Sequence, residues 1–229
     1  MSARRRPPVA AVRLDGAAKR YGDVPALGPV DLAVPAGQSV ALVGHNGSGK
    51  STLLGLVAGV VELSDGQVAV FGRVPDDTAA RARLSYLPDA PVLYDDLSVR
   101  EHLQYVSRLH GGRGDDPRLD ELLVRLGLED RADQLPSHFS RGLRQKAAIA
   151  VGLCRPFRVL LVDEPFVGLD VAGRAVLLEL LAEAVDDGAA VVVATHDPEV
   201  LASFQRRVTL VDGQIVADGG PAPTPHDCP

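Results

Sequence analysis

The chain has 229 residues, of which 46% are hydrophobic and 24% are charged. That balance allows a sizeable core and excludes a compositionally disordered protein. The formal net charge of −6 disfavours general nucleic-acid binding, because neutralising phosphates requires clustered Lys and Arg. No apolar run approaches the ~18 residues of a membrane span, and the N-terminus lacks the apolar stretch of a signal peptide. We therefore expect one cytoplasmic domain.

Short apolar runs predict the strands. Five of them, expected to form an antiparallel flank, are Ala11–Leu14, Leu32–Val34, Gln67–Val70, Arg207–Val211 and Gln214–Ala217. Three others lead into polar or Gly-rich residues, namely Ser39–Val43, Val159–Val162 and Ala190–Ala194. Parallel sheets gather their ligand groups at the carboxyl ends of the strands. The last three runs therefore predict a parallel sheet with its site at one edge.

The middle of the chain has a helical pattern. Ser98 with Glu101 predicts a capping box at the start of one helix. Asp116-Pro117 is typical of the start of a second helix, and Ser140 of the start of a third. These helices lie between the first and second predicted strands of the parallel sheet, so they form an insertion.

The strongest motif follows the predicted strand Ser39–Val43 and matches G-x-x-x-x-G-K-[ST]. The residues expected to line a phosphate site are Gly44, His45, Asn46, Gly47, Ser48, Gly49, Lys50 and Ser51, followed by Thr52. Glycines let backbone N–H groups approach phosphate oxygens, and a helix N-terminus adds partial positive charge. Lys50 supplies a point charge toward the β- and γ-phosphates, and Ser51 supplies a hydroxyl ligand for Mg²⁺. The motif predicts a nucleotide-binding protein.

An acid pair ends the predicted strand Val159–Val162. Asp163 suits Mg²⁺, bound directly or through water, and Glu164 suits a general base that polarises the attacking water. Adjacent acids also occur at ordinary junctions between a strand and a surface loop. Because the same chain carries a phosphate loop, the catalytic interpretation is favoured.

With the segment Phe139–Lys146, these motifs resemble the nucleotide-binding subunits of ATP-binding cassette (ABC) transporters. The segment is similar to the family's LSGGQ signature at Ser140 and Gly142, whereas the other three positions differ. A Ser at a helix N-terminus followed by Gly offers a hydroxyl and N–H groups to an anion. Ser is equally a plain N-cap. The resemblance implies that Ser140 and Gly142 contact ATP.

Further segments strengthen the resemblance. Gly168-Leu169-Asp170 is similar to the family's D-loop, which implies that Asp170 contributes to the nucleotide site. His196 resembles the family's switch histidine, which implies a catalytic position at the γ-phosphate, although a lone His at a strand end is usually structural. Tyr21 is similar to the aromatic residue that stacks on adenine, and a surface or core Tyr fits the same sequence.

Asp89 departs from the family pattern. It follows Ser85–Pro88, which resembles the family's Q-loop, and it stands where Gln is usual. An acid can bind Mg²⁺ or its water, but Pro-Asp is also ordinary turn chemistry. Asp89 is therefore a candidate metal ligand with a structural alternative. The neighbouring segment Leu93–Glu101 is similar to family members that serve separate export permeases.

The resemblance implies an α/β fold in one ATP-binding domain, residues 9–219. The expected parts are a RecA-like P-loop NTPase core, an antiparallel β flank and an inserted helical subdomain. Their approximate bounds are 9–84 and 158–219 for the core and 85–157 for the helical subdomain, with tails at 1–8 and 220–229.

The resemblance also implies an ATP-hydrolysing subunit with ATP and Mg²⁺ as cofactors. Its partners would be a second ATP-binding subunit, in a homodimer or heterodimer, and a membrane-embedded permease. The chain would be peripheral on the inner face of the cell membrane, without direct nucleic-acid contacts.

Other functions fit parts of the sequence. An ABC-type ATPase clamp in DNA repair needs a long coiled coil or a nucleic-acid surface, but the helical insertion is short and the charge is acidic. A translation-associated ATPase would carry two cassettes in one chain. A regulatory module would bind ATP without cleaving it; the presence of Glu164 and His196 disfavours that function, whereas the altered signature and Asp89 keep it open.

Overall fold

The computed structural model describes residues 10–90 and 92–220. The nine strands of this part are β1 Ala10–Tyr21, β2 Val24–Pro35, β3 Ser39–Val43, β4 Asp65–Val70, β5 Leu84–Leu87, β6 Val159–Asp163, β7 Ala190–Ala194, β8 Arg206–Val211 and β9 Gln214–Gly219. Its α-helices are α1 Lys50–Ala58, α2 Thr78–Arg81, α3 Val99–Leu109, α4 Pro117–Arg125, α5 Arg141–Leu153 and α6 Val171–Asp186. The Arg4–Arg6 run and Cys228, in the Pro-rich tail, lie outside the described residues.

The main sheet has the strand order β5-β6-β7-β3-β8-β9, and all neighbours are parallel except β8 and β9. Its central strands are apolar on both faces. In β6, Leu161 packs on one face of the sheet, and Leu160 and Val162 pack on the other. Burial on both faces explains why these strands appear in the sequence as continuous apolar runs. The carboxyl ends of β3, β6 and β7 meet at one edge.

The antiparallel sheet has the order β2-β1-β4. The prediction that Arg207–Val211 and Gln214–Ala217 belong to an antiparallel flank was wrong: β8 joins the main sheet beside β3, and β9 is its antiparallel edge. A short strand has the same local pattern in either sheet, so its partner decides the sheet. Strands β1 and β2 are also longer than predicted, because bulges carry the pairing through Gly16 and Gly28.

Helix α1 lies between the two sheets. Its Leu53, Leu54 and Leu56 pack with residues of both sheets, so the phosphate loop that precedes the helix starts from a rigid base. Helices α3, α4, α5 and α6 lie on the other face of the main sheet and share one core with it, in which Leu103 and Ile149 are fully buried.

The helical subdomain has the predicted helix starts. Ser98 and Glu101 form the capping box of α3, Asp116 caps α4 with Pro117 at its first turn, and Ser140 caps α5. Ser85–Leu87, at the expected start of this subdomain, lie in β5, which pairs with β6 in the main sheet. No helix within residues 10–90 and 92–220 is long and apolar enough to cross a membrane.

Candidate functional site

The loop between β3 and α1 has a backbone that only glycine adopts easily. Gly47 has φ 82° and Gly49 has φ 102°, both in the left-handed region. A Cβ on Gly49 would lie 2.9 Å from the carbonyl oxygen of Ala26, so no side chain fits there. Helix α1 starts without a side-chain cap and without an acid in its first turn. Its first N–H groups therefore point into the loop without intrahelical acceptors.

The turn between β8 and β9 supports this loop. The Gly213 N–H donates to the Ser48 carbonyl at 3.0 Å, and the Gly28 N–H donates to the Gly213 carbonyl at 2.8 Å. His45 Nε2 lies 3.4 Å from Asp212 Oδ1. By sequence alone, Asp212-Gly213 has the pattern of an ordinary hairpin turn. Its supporting role is not visible there, because the contact joins segments far apart in the chain.

Lys50 lies inside the loop, with 6% of its side chain exposed. Its Nζ donates to the carbonyl oxygens of Gly44 at 2.8 Å and His45 at 3.3 Å. Glu164 Oε1 is 3.7 Å away. The ammonium is thus held at the centre of the loop by two carbonyls and one carboxylate, ready to face an anion that enters the loop.

Glu164 and His196 meet at the ends of β6 and β7. The register pairs Asp163 with Ala194, which brings the residues that follow each strand side by side. Glu164 has φ 47°, an uncommon conformation for a residue other than glycine. Its N–H donates to the Ala194 carbonyl at 2.9 Å, and its Oε2 lies 2.9 Å from His196 Nδ1. Lys50, Glu164 and His196 therefore form one continuous polar line.

Asp163 is 2% exposed, and its Oδ1 has no hydrogen-bond partner among the described residues. Burial raises the pKa of its carboxyl, and the charges of Glu164 and Asp89 raise it further, while the Ser51 hydroxyl and Lys50 oppose the shift. An unsatisfied buried carboxylate oxygen beside a hydroxyl fits a hard cation with oxygen ligands. Within the described ranges no three His, Cys, Asp or Glu side chains form a metal site alone. Ser51 and oxygens of a nucleotide would have to supply the remaining ligands of such a cation.

Asp89 is exposed, in the loop that follows β5, and it is close enough to Asp163 for its charge to raise the pKa of that carboxyl. Burial raises the pKa of Tyr86 to about 12, and the charges of Asp163 and Asp89 raise it further, so the phenol stays protonated near neutral pH. Asp89 also lines a cavity of about 600 Å³ together with Asp95, Arg141 and Arg144. The structure therefore brings Asp89 both toward the acid pair and to the edge of the helical subdomain.

Ser140, Gly142 and Asp170 lie on a separate surface. The Ser140 Oγ accepts from the Leu143 N–H at 3.3 Å, and a Cβ on Gly142 would lie 2.6 Å from the Gly168 carbonyl. Asp170 caps α6 and lies 3.1 Å from Lys146 Nζ, which lowers the pKa of its carboxyl. In the described part of the chain, no hydrogen bond or ion pair connects Ser140, Gly142 or Asp170 to the phosphate loop.

Gln145 connects the two surfaces, and sequence reasoning did not single it out. Its side chain is buried, and its Nε2 donates to the Pro165 carbonyl at 3.1 Å, next to Glu164. The available signal was a polar residue three positions after Gly142, on a helix whose other buried residues are alanines, Ile149 and Gly152. Tyr21, the last residue of β1, is 55% exposed under Lys19 Nζ, and no hydrogen bond in the described ranges joins its side chain to the loop.

The fold and the loop geometry define a P-loop ATPase of the ABC type. A family model described as "ABC transporter" matches residues 27–167, more than half of the chain. The chain belongs to the ABC transporter family. The predicted class, an ATP-binding domain with ATPase activity, is thereby confirmed.

Individual relatives agree with the family. An ABC transporter ATP-binding protein of Streptomyces avermitilis is 42% identical over 93% of this chain and 38% of its own length. The daunorubicin resistance ATP-binding protein DrrA3 of Streptomyces coeruleorubidus is 35% identical over 91% of this chain and 68% of its own length. A solved structure described as the ATP-binding subunit of an ABC transporter superposes with TM-score 0.85 at 31% identity, covering 92% of this chain and 90% of that one. This chain spans little more than a third of the length of the Streptomyces avermitilis relative.

Proposed function

We propose that this chain binds Mg²⁺ and ATP at the phosphate loop and drives transport through a separate membrane permease. The observation that carries the proposal is the polar line from Lys50 through Glu164 to His196 at the mouth of the loop. Lys50 Nζ is 3.7 Å from Glu164 Oε1, and His196 Nδ1 is 2.9 Å from Glu164 Oε2. A phosphate-binding cation, a base and its orienting group thus adjoin each other, as phosphoryl transfer to water requires.

Each part of the loop has a distinct role in this proposal. Backbone N–H groups between Gly44 and Thr52 would hold the β- and γ-phosphates, and Lys50 would turn from the loop carbonyls to the phosphate oxygens. Ser51 and Asp163 would hold Mg²⁺, with Asp89 as a further ligand through water. When bound, Mg²⁺ supplies charge neutralisation at the phosphates.

Glu164 is the proposed general base. Its carboxylate would accept the proton of the attacking water, and the left-handed backbone at Glu164 fixes where that carboxylate points. His196 would keep the carboxylate oriented and would contact the γ-phosphate with the ring nitrogen that Glu164 does not use. Tyr21 would stack on adenine from the end of β1.

Two copies of the domain complete the site in this proposal. Within the described ranges, no hydrogen bond or ion pair joins Ser140, Gly142 or Asp170 to the phosphate loop of their own chain. Ser140 caps the N-terminus of α5 and is exposed. The second subunit would therefore present these residues to the nucleotide. ATP would close such a dimer and hydrolysis would open it, because the γ-phosphate would bind groups of both subunits and ADP lacks that phosphate.

The proposed permease contact is the segment Asp89–Glu101. Val92 is 89% exposed and Tyr94 is 53% exposed, next to the cavity that contains Asp89. This segment would receive a cytoplasmic part of the permease, which would keep the chain peripheral on the inner face of the membrane. The similarity of Leu93–Glu101 to family members that serve separate export permeases supports export as the direction of transport.

A substitution at Glu164 tests the proposal. Glu164→Gln keeps the shape of the side chain but cannot accept a proton, so we expect turnover to fall by about 10²–10⁴ while ATP affinity survives. Size-exclusion chromatography with ATP and Mg²⁺ should then give a stable dimer. Glu62→Gln, at an exposed acid outside the site, is the control. Hydrolysis at near-parental rate by Glu164→Gln, or a monomer with ATP, would contradict the proposal.

A further inference from the structure

The residues that follow β7 form a short switch loop, Thr195–Glu199, that carries His196. Two hydrogen bonds fold the loop on itself: the Asp197 N–H donates to Thr195 Oγ1 at 3.1 Å, and the Glu199 N–H donates to Asp197 Oδ1 at 3.0 Å. His196 itself has 61% of its side chain exposed, so packing restrains its ring little. The direction of the ring therefore depends on the backbone of the loop.

One side chain outside the loop holds this backbone. Arg174 forms an ion pair with Asp197, and its other terminal nitrogen lies 3.0 Å from Glu199 Oε2. In the described residues, no other side chain from outside the loop bonds to Asp197 or Glu199. Arg174 has 29% and Asp197 has 15% of the side chain exposed, so the pair is screened less than a surface ion pair. A planar guanidinium that bridges two carboxylates also fixes their spacing.

The first turn of α6, which carries Arg174, is held in place by neighbouring residues. Arg174 lies on the first turn of α6, and its N–H donates to the Asp170 carbonyl at 2.9 Å. The Asp170 side chain accepts from the Gly173 N–H at 3.0 Å and lies 3.1 Å from Lys146 Nζ on α5. The guanidinium therefore extends to the switch loop from a helix start that is tied to α5.

We propose that Arg174 is a positioning residue for His196: it fixes the switch loop so that the ring meets Glu164. The inference rests on the proposed function, in which Glu164 and His196 act on the attacking water. Arg174 acts through the Asp197 and Glu199 carboxylates, and in the described structure it forms no hydrogen bond or ion pair with Glu164 or Lys50. Losing it would misdirect the ring while leaving the phosphate loop complete.

Steady-state ATPase kinetics give the first test. We expect Arg174→Gln to lower kcat about 10-fold with KM for ATP unchanged, because ground-state binding by the loop is untouched. Arg174→Lys, which keeps the charge but not the fork, should recover part of the loss. The control is Arg125→Gln, which removes the two-nitrogen pair with Glu183 at the other end of α6. An unchanged kcat in Arg174→Gln, a parallel rise in KM, or an equal loss in the control would overturn the proposal.

A double-mutant cycle tests whether Arg174 acts through His196. In a His196→Ala background, Arg174→Gln should lower kcat by less than about twofold, since the group it positions is gone. If the two losses multiply instead, or if His196→Ala alone leaves kcat unchanged, Arg174 acts by another route and the proposal is wrong.

NMR of the histidine rings gives a readout that does not depend on turnover. The ring signal missing from His196→Ala assigns His196, and we expect that signal to shift in Arg174→Gln and to stay in place in Arg125→Gln. A His196 signal that is unchanged in Arg174→Gln overturns the positioning role, whatever happens to kcat. By contrast, a shifted signal together with active Glu164→Gln would leave the positioning role standing and reject the proposed function.

Discussion

The phosphate-loop end of the main sheet and the outer surface of the helical subdomain differ in how their side chains are bonded and exposed. At the loop, Lys50 is buried and bonded to two backbone carbonyls, and Glu164 bonds to His196. On the helical subdomain, Val92 and Tyr94 are exposed, and Ser140 caps its own helix at the surface. The polar side chains of the first region bond to one another or to backbone carbonyls of the same chain, whereas Val92, Tyr94 and Ser140 of the second region are exposed.

The two regions differ because they are built from different structural elements. The loop residues follow strands whose neighbours are fixed by main-chain hydrogen bonds, so their positions are set by the sheet. The exposed groups of the helical subdomain lie on loops and helix starts, where the backbone has fewer restraints. Substitutions in the two regions should therefore have separable effects.

The largest effect is expected in the loop. Lys50→Ala removes a charged donor aimed at the phosphates, so ATP affinity should fall by roughly 100-fold, within the 1.5–3 kcal/mol typical of a hydrogen bond to a charged group. Isothermal titration calorimetry measures this loss. Lys146→Ala, which removes a lysine of the other region, should keep affinity within about threefold. If Lys50→Ala kept near-parental affinity, the loop would not be the ATP site.

A second substitution separates the helical surface from the loop. Tyr94→Asp places a charge on the proposed permease contact, so less of the chain should sediment with host membranes, while ATP affinity stays unchanged. Val124→Asp is the matched control, since Val124 on α4 is also 53% exposed. A melting temperature many degrees lower in isolated Tyr94→Asp would instead mean that Tyr94 serves the core of the subdomain.

A smaller effect is expected at Asp163, with the chain free of metal. Burial raises the pKa of its carboxyl in the folded state, so the native state binds this proton more tightly than the unfolded chain does. The charged carboxylate therefore destabilises the fold above that raised pKa. This loss of stability becomes smaller as the pH falls toward the ordinary pKa of an Asp side chain. Asp163→Asn should raise the melting temperature by roughly 2–4 °C at pH 7, as about 1 kcal/mol does in a domain of this size.

Thermal melts in a chelator at pH 7 and at lower pH check this expectation. The gap between Asp163→Asn and the parent should narrow as the pH falls, and Asp76→Asn, at an exposed acid, should show no such gap. A lower melting temperature for Asp163→Asn at pH 7 would show that the carboxylate stabilises the metal-free fold.

The smallest effect concerns Cys154, at the end of α5, which packs against the core between the helices and the main sheet. Burial raises the pKa of its thiol to about 12, which lowers the thiolate fraction near neutral pH. In a Cys228→Ser background, maleimide should label the folded protein slowly at pH 7.5, and urea should speed the labelling. Fast labelling of the folded chain would mean that the end of α5 opens readily.

Much of the site was predictable because its residues are adjacent in sequence to strands. A phosphate loop needs glycines at fixed spacing, and Asp163 and Glu164 directly follow a buried apolar run, so local pattern was enough to propose them. The order of β8 and β9 was not predictable, because a short alternating strand pairs equally well with either sheet. Gln145 and Arg174 were missed because each acts through a contact with a segment that is distant in the chain.

The sequence by itself determined the class of protein, the phosphate loop, the acid pair and the helix starts, since each depends on the local chemistry of a few neighbouring residues. Only the tertiary structure decided that Lys50, Glu164 and His196 adjoin, that Gly213 supports the loop and that Arg174 holds the switch loop. Those contacts depend on strand order and register, which arise from packing two sheets around α1 and have no signature in any one segment.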